Sequence, residues 1–165
     1  MNGPTLSGRD IRLLRLWAQQ LAPLPRTDSL ADMTHVAKAV VGIQAQDAQA
    51  ARLSVRARSA GLTANDVEQA SLGERLIIRT WAMRGTLHLV ATEDLPWLLA
   101  LLGPTFAAGD RRRRLQLGLD DATSARGVQV IRNALATSGP LTRAELLKVL
   151  TAHGINAEGQ CHDHI

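Results

Sequence analysis

The sequence predicts a mainly helical protein with one small β-hairpin, arranged as tandem winged-helix (helix-turn-helix) units of which the second is incomplete. Apolar residues recur at helical spacing in the first part of the chain, and strand-favouring residues then flank a short turn at about residues 76–91. Helical spacing resumes after residue 92. Helices followed by a hairpin are the order of a winged helix, in which the hairpin is the wing.

The first part of the chain contains three or four predicted helices. Leucines and a tryptophan repeat at helical spacing over residues 11–21, and Pro23 ends this first helix. A second apolar stripe, a third helix and a short fourth helix follow. The residues predicted to start and stop them are Ser29 and Gly42 for the second, Asp47 and Gly61 for the third, and Thr63 with Asp66 for the fourth.

The hairpin is predicted from two strand-favouring segments, residues 76–83 and 86–91, joined by a two-residue Arg-Gly turn. Such a turn would pair Trp81 with His88. The face that would carry both of these residues holds Arg79, Trp81, Met83, Thr86 and His88. Two interpretations remain open: a wing that touches DNA, with Arg84 at its tip, or a hairpin that packs Trp81 into the core.

The remainder of the chain is predicted to be helical. Thr92 is suited to cap a helix that Gly103 and Pro104 end, and another helix ends near residues 111–114. A long helix covers residues 121–137. The last predicted helix begins at a capping box of Thr142 and Glu145 and stops at Gly154.

These elements divide the chain into two predicted domains. Residues 1–118 form the first winged-helix domain, with the wing and the helices that follow it, and residues 119–165 begin a second. The second domain has two helices and lacks a recognition helix and a wing, which leaves it half a core. We therefore expect the natural chain to continue beyond Ile165, or this piece to be stabilised by something else.

Charge alone leaves the function open. All but two of the 19 basic residues are arginine, and the net charge is +4. Guanidinium groups suit phosphate oxygens, but a GC-rich coding sequence gives the same excess. The four arginines at residues 111–114 allow either a phosphate contact or a solvated helix end.

The cysteine content and the hydropathy of the sequence indicate the cellular compartment. The single cysteine, Cys161, excludes an internal disulfide and fits a reducing compartment. No apolar run approaches the roughly 20 residues of a membrane span, and no signal peptide pattern is present. The run Cys161-His162-Asp163-His164 suggests a metal site, but it lacks spaced partners, so an ordinary helix is the favoured interpretation.

The most informative short segment is residues 42–47, which lies between a helix stop and a helix cap. Extended backbone there would place Gln44 beside Gln46, with Ile43 and Ala45 facing the core. Two adjacent carboxamides can hold one water molecule between them. The alternative is a pair of solvated glutamines in a connector, or glutamines that bind backbone groups.

Two segments together are typical of one protein family. They are Gly42-Ile43-Gln44-Ala45-Gln46 with the alanine-rich helix after it, and Trp81-Ala82-Met83-Arg84-Gly85-Thr86-Leu87-His88. Along nearly its whole length the chain resembles the winged-helix DNA-binding family that includes the AlkZ and YcaQ DNA glycosylases. The segments that fit the second winged helix of that family are Ser138-Gly139-Pro140-Leu141-Thr142-Arg143 and Gly154-Ile155.

The resemblance implies a monofunctional DNA glycosylase that excises N7-alkylated purines, or unhooks crosslinks, by water attack at C1′. The family's catalytic Gln-x-Gln pair corresponds here to Gln44 and Gln46, with no metal or organic cofactor. The partner would be double-stranded, alkylated DNA, bound by a monomer in the cytoplasm at the nucleoid. The residues expected to contact DNA are Arg52, Arg56, Arg79, Trp81, Arg84, Thr86 and His88. The alternatives are a non-catalytic winged-helix DNA-binding protein or transcriptional regulator, and a fragment without independent function.

Overall fold

The structure is a computed structural model that describes residues 5–22, 31–109 and 111–156. These residues are mainly helical with one small antiparallel sheet, which confirms the predicted fold class and is compatible with a winged-helix-like fold. The helices are α1 Gly8–Ala18, α2 Ala31–Ala39, α3 Ala48–Arg56, α4 Ala64–Glu68, α5 Leu95–Gly109, α6 Arg111–Gln116, α7 Asp121–Ser138 and α8 Arg143–Ala152. The strands are β1 Ile43–Gln44, β2 Ile77–Trp81 and β3 Leu87–Ala91.

The chain forms two compact units, Met1–Gly103 and Pro104–Ile165. The division falls earlier than the predicted boundary between residues 118 and 119. In the second unit the predicted long helix and the last helix are present as α7 and α8. They share a small core of Leu150 and Ile155. The helix predicted after Ile155, with its Cys-His-Asp-His run, lies outside the described residues.

Side-chain caps start three of the helices where the sequence predicted, and the start predicted at Ser29 lies outside the described residues. The Asp47 carboxylate accepts from the Ala50 N–H at 2.7 Å and begins α3. Thr63 with Asp66 and Thr142 with Glu145 form reciprocal capping boxes. The first N–H groups of a helix have no hydrogen-bond acceptor within the helix. Each cap supplies an acceptor for one or more of them.

The core of the first unit lies between α2, α3, α4 and one face of the sheet. Met33, Val55 and Ile77 are among its fully buried side chains. Burying an aliphatic side chain of this size contributes about 1.5–3 kcal/mol. By contrast, helix α1 has no buried residue, and Trp17 on it is 57% exposed.

The sheet has the strand order β1-β3-β2, with both pairs antiparallel. Its central strand places Leu89 opposite both Ile43 and Arg79, and His88 opposite both Gln44 and Thr80. Since side chains alternate along a strand, these two rows lie on opposite faces. The Leu89 row faces the core of α2, α3 and α4. On the other face, a smaller cluster joins the hairpin to α5.

The predicted register of the hairpin is wrong by one residue. Trp81 pairs with Leu87, not with His88. The Ala82 N–H donates to the Thr86 carbonyl at 3.0 Å, so the loop holds three residues, Met83–Gly85, instead of two. A shift of one residue moves side chains to the other face. Arg79 and Trp81 therefore lie on one face, and His88 lies on the other.

Helix α2 ends at Ala39, before the predicted stop at Gly42. The left-handed residue that follows the helix is Val41, with φ of 63°. A β-branched residue rarely adopts this conformation. Gly42 serves a different purpose: a Cβ there would lie 3.1 Å from both the Met83 Cε and the Val90 Cγ1 atoms. The missing side chain of the glycine leaves room for the close approach of the hairpin.

Helix α5 corrects two further predictions. It continues through Gly103 and Pro104, where a break was predicted. A proline removes one backbone hydrogen bond, and the leucines and alanines around it favour continuation of the helix. Thr92 does not cap α5: it lies in a single 3₁₀ turn, and its hydroxyl donates to the Arg75 carbonyl. No helix within the described ranges is long and apolar enough to cross a membrane.

The capping boxes predict a loss of stability in acid. Hydrogen bonds from Thr63 and Thr142 lower the pKa values of Asp66 and Glu145 below their ordinary range. A carboxylate with a depressed pKa in the folded state stabilises the fold above its unfolded pKa, and this contribution is lost as the pH falls through the folded pKa. We expect the melting temperature to fall between about pH 5 and pH 2.

Thermal unfolding followed by circular dichroism across this range tests the expectation. The matched variant carries Asp66→Asn and Glu145→Gln, which are neutral at every pH, and its melting temperature should depend less steeply on pH. Equal slopes for the two proteins would contradict the assignment.

Candidate functional site

The two glutamines lie where a short strand leaves the sheet and enters a helix. Gln44 is the last residue of β1, and Asp47 caps α3. Ile43 and Ala45 are buried in the core, whereas Gln44 and Gln46 are exposed. The segment is thus extended and its side chains alternate, which confirms the predicted geometry.

The two carboxamides contact each other directly. Gln44 Nε2 donates a hydrogen bond to Gln46 Oε1 at 2.6 Å. An amide oxygen has two lone pairs, so Gln46 Oε1 can accept a second bond while Gln44 Oε1 can accept two. Oxygen atoms from both side chains can therefore receive the two protons of one water molecule.

The pair stands on the surface. A cavity of about 350 Å³ lies on the core side of the same segment, between α3 and the π-helical turn Gln69–Gly73. Its walls are mainly apolar and include Ala45, Ala51, Leu72 and Leu89. Because Gln44 and Gln46 are exposed, they are accessible to a large substrate that cannot enter a cavity.

Arg79, predicted to contact DNA, is exposed and binds the backbone of the glutamine segment. Its guanidinium donates from Nε to the Ala45 carbonyl at 2.7 Å and from Nη2 to the Gln46 carbonyl at 3.0 Å. Two of its nitrogen atoms are therefore committed to the backbone of the Gln-x-Gln segment. Sequence reasoning missed this contact, since the two positions are more than thirty residues apart.

His88 was predicted on an exposed face that touches DNA, but the structure buries it, with 4% of its surface exposed. Its Nδ1 donates to the carbonyl of Thr86, the residue just before its own strand, at 2.9 Å. The register places it directly opposite Gln44. His88 therefore supports the strand beneath the glutamine pair.

The hairpin loop carries the exposed candidates. Trp81 is 56% exposed, which excludes the interpretation that the hairpin packs it into the core. Arg84 lies at the tip, exposed and in the left-handed region with φ of 59°. Thr86 is half-buried, and its hydroxyl donates to the Met83 carbonyl at 3.1 Å. Trp81 and Arg84 thus remain accessible to a partner.

The two arginines predicted on α3 are placed differently from each other. Arg52 is half-buried and lies 3.4 Å from a carboxylate oxygen of Glu68. Arg56 is exposed in the last turn of the helix. Surface ion pairs of this kind are weak and are easily exchanged for another anion.

The arginines of α6 take part in local contacts. Arg111 forms an ion pair with Asp121 at 2.9 Å, and this carboxylate raises the pKa of the guanidinium. Arg114 donates to the Ala107 carbonyl at 3.1 Å. Both contacts fit a solvated helix end. In the part of the chain that the structure describes, no group of three or more histidine, cysteine, aspartate or glutamate residues could hold a metal ion.

Comparison with known proteins identifies one family. The family model described as "DNA glycosylase AlkZ-like" matches residues 37–164. The match contains the glutamine pair, Arg79 and the whole hairpin. No curated protein and no solved structure matches the chain.

Gly42, the residue before β1, is a position where a larger side chain would crowd its neighbours. We expect Gly42→Ala to destabilise the protein by about 1 kcal/mol, because the new methyl group crowds buried Val90, whose branched side chain is stiff. Urea unfolding measures the change. Gly8→Ala is the matched control, because its Cβ would meet only the flexible end of Arg12. A gain of stability in both variants would contradict the prediction, because it would show that the hairpin side chains near Gly42 shift to accommodate the methyl group.

Proposed function

Because the chain belongs to the AlkZ-like DNA glycosylase family, we propose that it is a monofunctional glycosylase that releases N7-alkylated purines from double-stranded DNA. The observation that carries the proposal is the exposed carboxamide pair, in which Gln44 Nε2 and Gln46 Oε1 are 2.6 Å apart. In the proposed reaction the C1′–N bond breaks and its electron pair leaves with the purine, which becomes neutral. One water molecule forms the new bond to C1′ and then loses its surplus proton to the solvent. Crosslinks through the same purine atom would be released by the same chemistry.

The substrate class follows from the weakness of the two groups as bases. A carboxamide oxygen is barely basic at neutral pH, so it cannot remove a proton as a carboxylate or imidazole does. An N7-alkylated purine is a cation and leaves the sugar as a neutral base. Such a leaving group needs little acid catalysis, and the reaction then depends on where the water stands.

In the proposed mechanism each side chain of the pair has its own role. Gln44 Oε1 accepts one proton of the water, and the second lone pair of Gln46 Oε1 accepts the other. The lone pairs of the water then face C1′. The hydrogen bond between the two carboxamides fixes their separation. The entropy of orienting them is therefore lost before the substrate binds.

The same oxygens also favour the transition state. As the bond to the base breaks, positive charge develops on the sugar ring. The negative ends of two fixed amide dipoles near this charge stabilise it more than they stabilise the intact substrate. An undamaged purine would leave as an anion, which this pair cannot protonate. We therefore expect negligible release of undamaged purines.

Binding to the duplex is assigned to exposed residues of the hairpin and of α3. Arg84 at the hairpin tip and Arg56 on α3 can contact phosphate, and Trp81 offers an exposed ring. Phosphate contacts position a protein on DNA without reading its sequence. The competing function is a winged-helix protein that binds DNA without catalysis, which the exposed hairpin tip would also serve.

A base-release assay separates these two functions. The full natural chain is incubated with a duplex that carries N7-methylguanine, and the released base is counted. Gln44→Ala with Gln46→Ala should slow release by about 100-fold or more, because water positioning is lost. DNA affinity should stay within about twofold of the wild type, since the two glutamines carry no charge.

The matched control is Gln49→Ala, an exposed glutamine on α3 beside the site. It should release base as fast as the wild type. Tight duplex binding by the wild type without release of any alkylated base would favour the non-catalytic function. Retained release in the double variant would remove the glutamine pair from the mechanism.

The exposed arginine at the hairpin tip predicts an effect on DNA affinity that is separate from the rate of base release. Arg84→Ala should weaken duplex binding about equally for damaged and undamaged DNA. The slope of log affinity against log salt should fall by about 1, as for one lost phosphate contact. Fluorescence anisotropy over a salt series measures both quantities. An unchanged salt slope would place Arg84 outside the interface.

A further inference from the structure

We infer that Arg79 is a positioning residue for the catalytic glutamines, and that it acts on their backbone and not on DNA. The inference rests on the proposed function, because it gives Arg79 a part in the same reaction. The observation is one guanidinium bound to two successive carbonyls, Ala45 at 2.7 Å and Gln46 at 3.0 Å.

The two carbonyls belong to the two peptide groups that flank the Gln46 α-carbon. A peptide group is planar, so the backbone of one residue is fixed once the planes on both its sides are fixed. One planar guanidinium bound to both planes therefore holds the φ and ψ angles of Gln46. Its Cα–Cβ direction, and with it the path of the carboxamide, is held as well.

The rest of the segment is held by other contacts, and these end just before Gln46. The register pairs Ile43 with Leu89 and Gln44 with His88. The Ala45 N–H continues the ladder by donating to the Leu87 carbonyl at 2.7 Å. On the far side, Asp47 is fixed as the cap of α3. Arg79 fastens the short stretch between the end of the sheet and the start of the helix.

An arginine is suited to this task by length and by shape. Arg79 lies on β2, and the central strand β3 separates it from β1. Adjacent strands are about 4.8 Å apart, so the side chain must cross the width of one strand to reach Ala45. Its planar fork then offers two parallel N–H groups, whereas lysine offers a single point charge.

The sheet face of Arg79 also separates its guanidinium from the two carboxamides. It shares the sheet face of Ile43 and Leu89, while Gln44 shares the opposite face with His88. The guanidinium is thus bound on the backbone side of the segment, and the carboxamides project from the other side. The two N–H groups that hold the segment could bind a phosphate only by giving up charge-assisted bonds, which are stronger than neutral ones.

The test compares Arg79→Gln and Arg79→Lys with the wild type, using the full natural chain. Three quantities are measured: the single-turnover rate of N7-methylguanine release at saturating protein, the dissociation constant for the duplex, and the melting temperature. Arg132→Gln, an exposed arginine on α7, is the control for loss of one charge.

We expect Arg79→Gln to lower the single-turnover rate by about 10- to 100-fold, as for a misplacement of about 1 Å in a catalytic group. The dissociation constant should match that of Arg132→Gln. Arg79→Lys should recover part of the rate, because an ammonium group can bind one of the two carbonyls.

Two other outcomes would overturn the inference. A weaker dissociation constant and a smaller salt slope with an unchanged rate would make Arg79 a phosphate contact. A lower melting temperature with an unchanged rate, measured well below that temperature, would make it a structural residue only.

A readout without DNA separates failure of this inference from failure of the proposed function. Nuclear magnetic resonance follows the side-chain amide signals of Gln44 and Gln46 in the free protein. Arg79→Gln should shift these signals and average them towards solvent-exposed values, even in a protein that releases no base. Unchanged amide signals would refute the positioning role independently of any glycosylase activity.

Discussion

The site depends on the pairing of β1 with β3. Two residues, Ile43 and Gln44, join the central strand of the sheet, and this pairing keeps the chain extended between α2 and α3. In a helix, residues two apart diverge, and the carboxamides of Gln44 and Gln46 could not share a hydrogen bond. The extended backbone brings them to 2.6 Å and sends Ile43 and Ala45 into the core. One extended segment thus contributes alternate residues to the hydrophobic core and to the polar pair.

The sequence was most informative where the determinants are local. Caps at Asp47, Thr63 and Thr142 act within one helical turn, and all three were predicted correctly. The extended geometry of the glutamine pair was also predicted, because the Asp47 cap and the two-residue spacing lie close together in the sequence, although α2 ends before Gly42, its predicted stop. That Arg79 reaches this segment was not predictable, since it depends on how three strands are ordered and no local pattern encodes the order.

The errors in the hairpin have a single physical origin. The Arg-Gly dipeptide suits a two-residue turn, but the structure closes the loop one residue earlier, between Ala82 and Thr86. This one change reverses the faces, buries His88 and leaves Trp81 exposed beside Arg79. The pattern of apolar residues does not fix the register here, because both faces of the hairpin pack against helices. Where both faces are apolar, alternation carries little information about register.

Charge placement decides whether a site of this kind can accept its substrate. Two like charges 8 Å apart repel by about 2 kcal/mol at an effective dielectric constant of about 20. A free guanidinium beside a cationic purine would therefore oppose both binding and the charge that develops on the sugar. In this fold the guanidinium of Arg79 is bound to two carbonyl oxygens on one side of the segment, while the neutral carboxamides face the other. The carbonyl dipoles offset part of the charge of the guanidinium, and the alternation of side chains along β1 places it on the side of the segment away from the carboxamides.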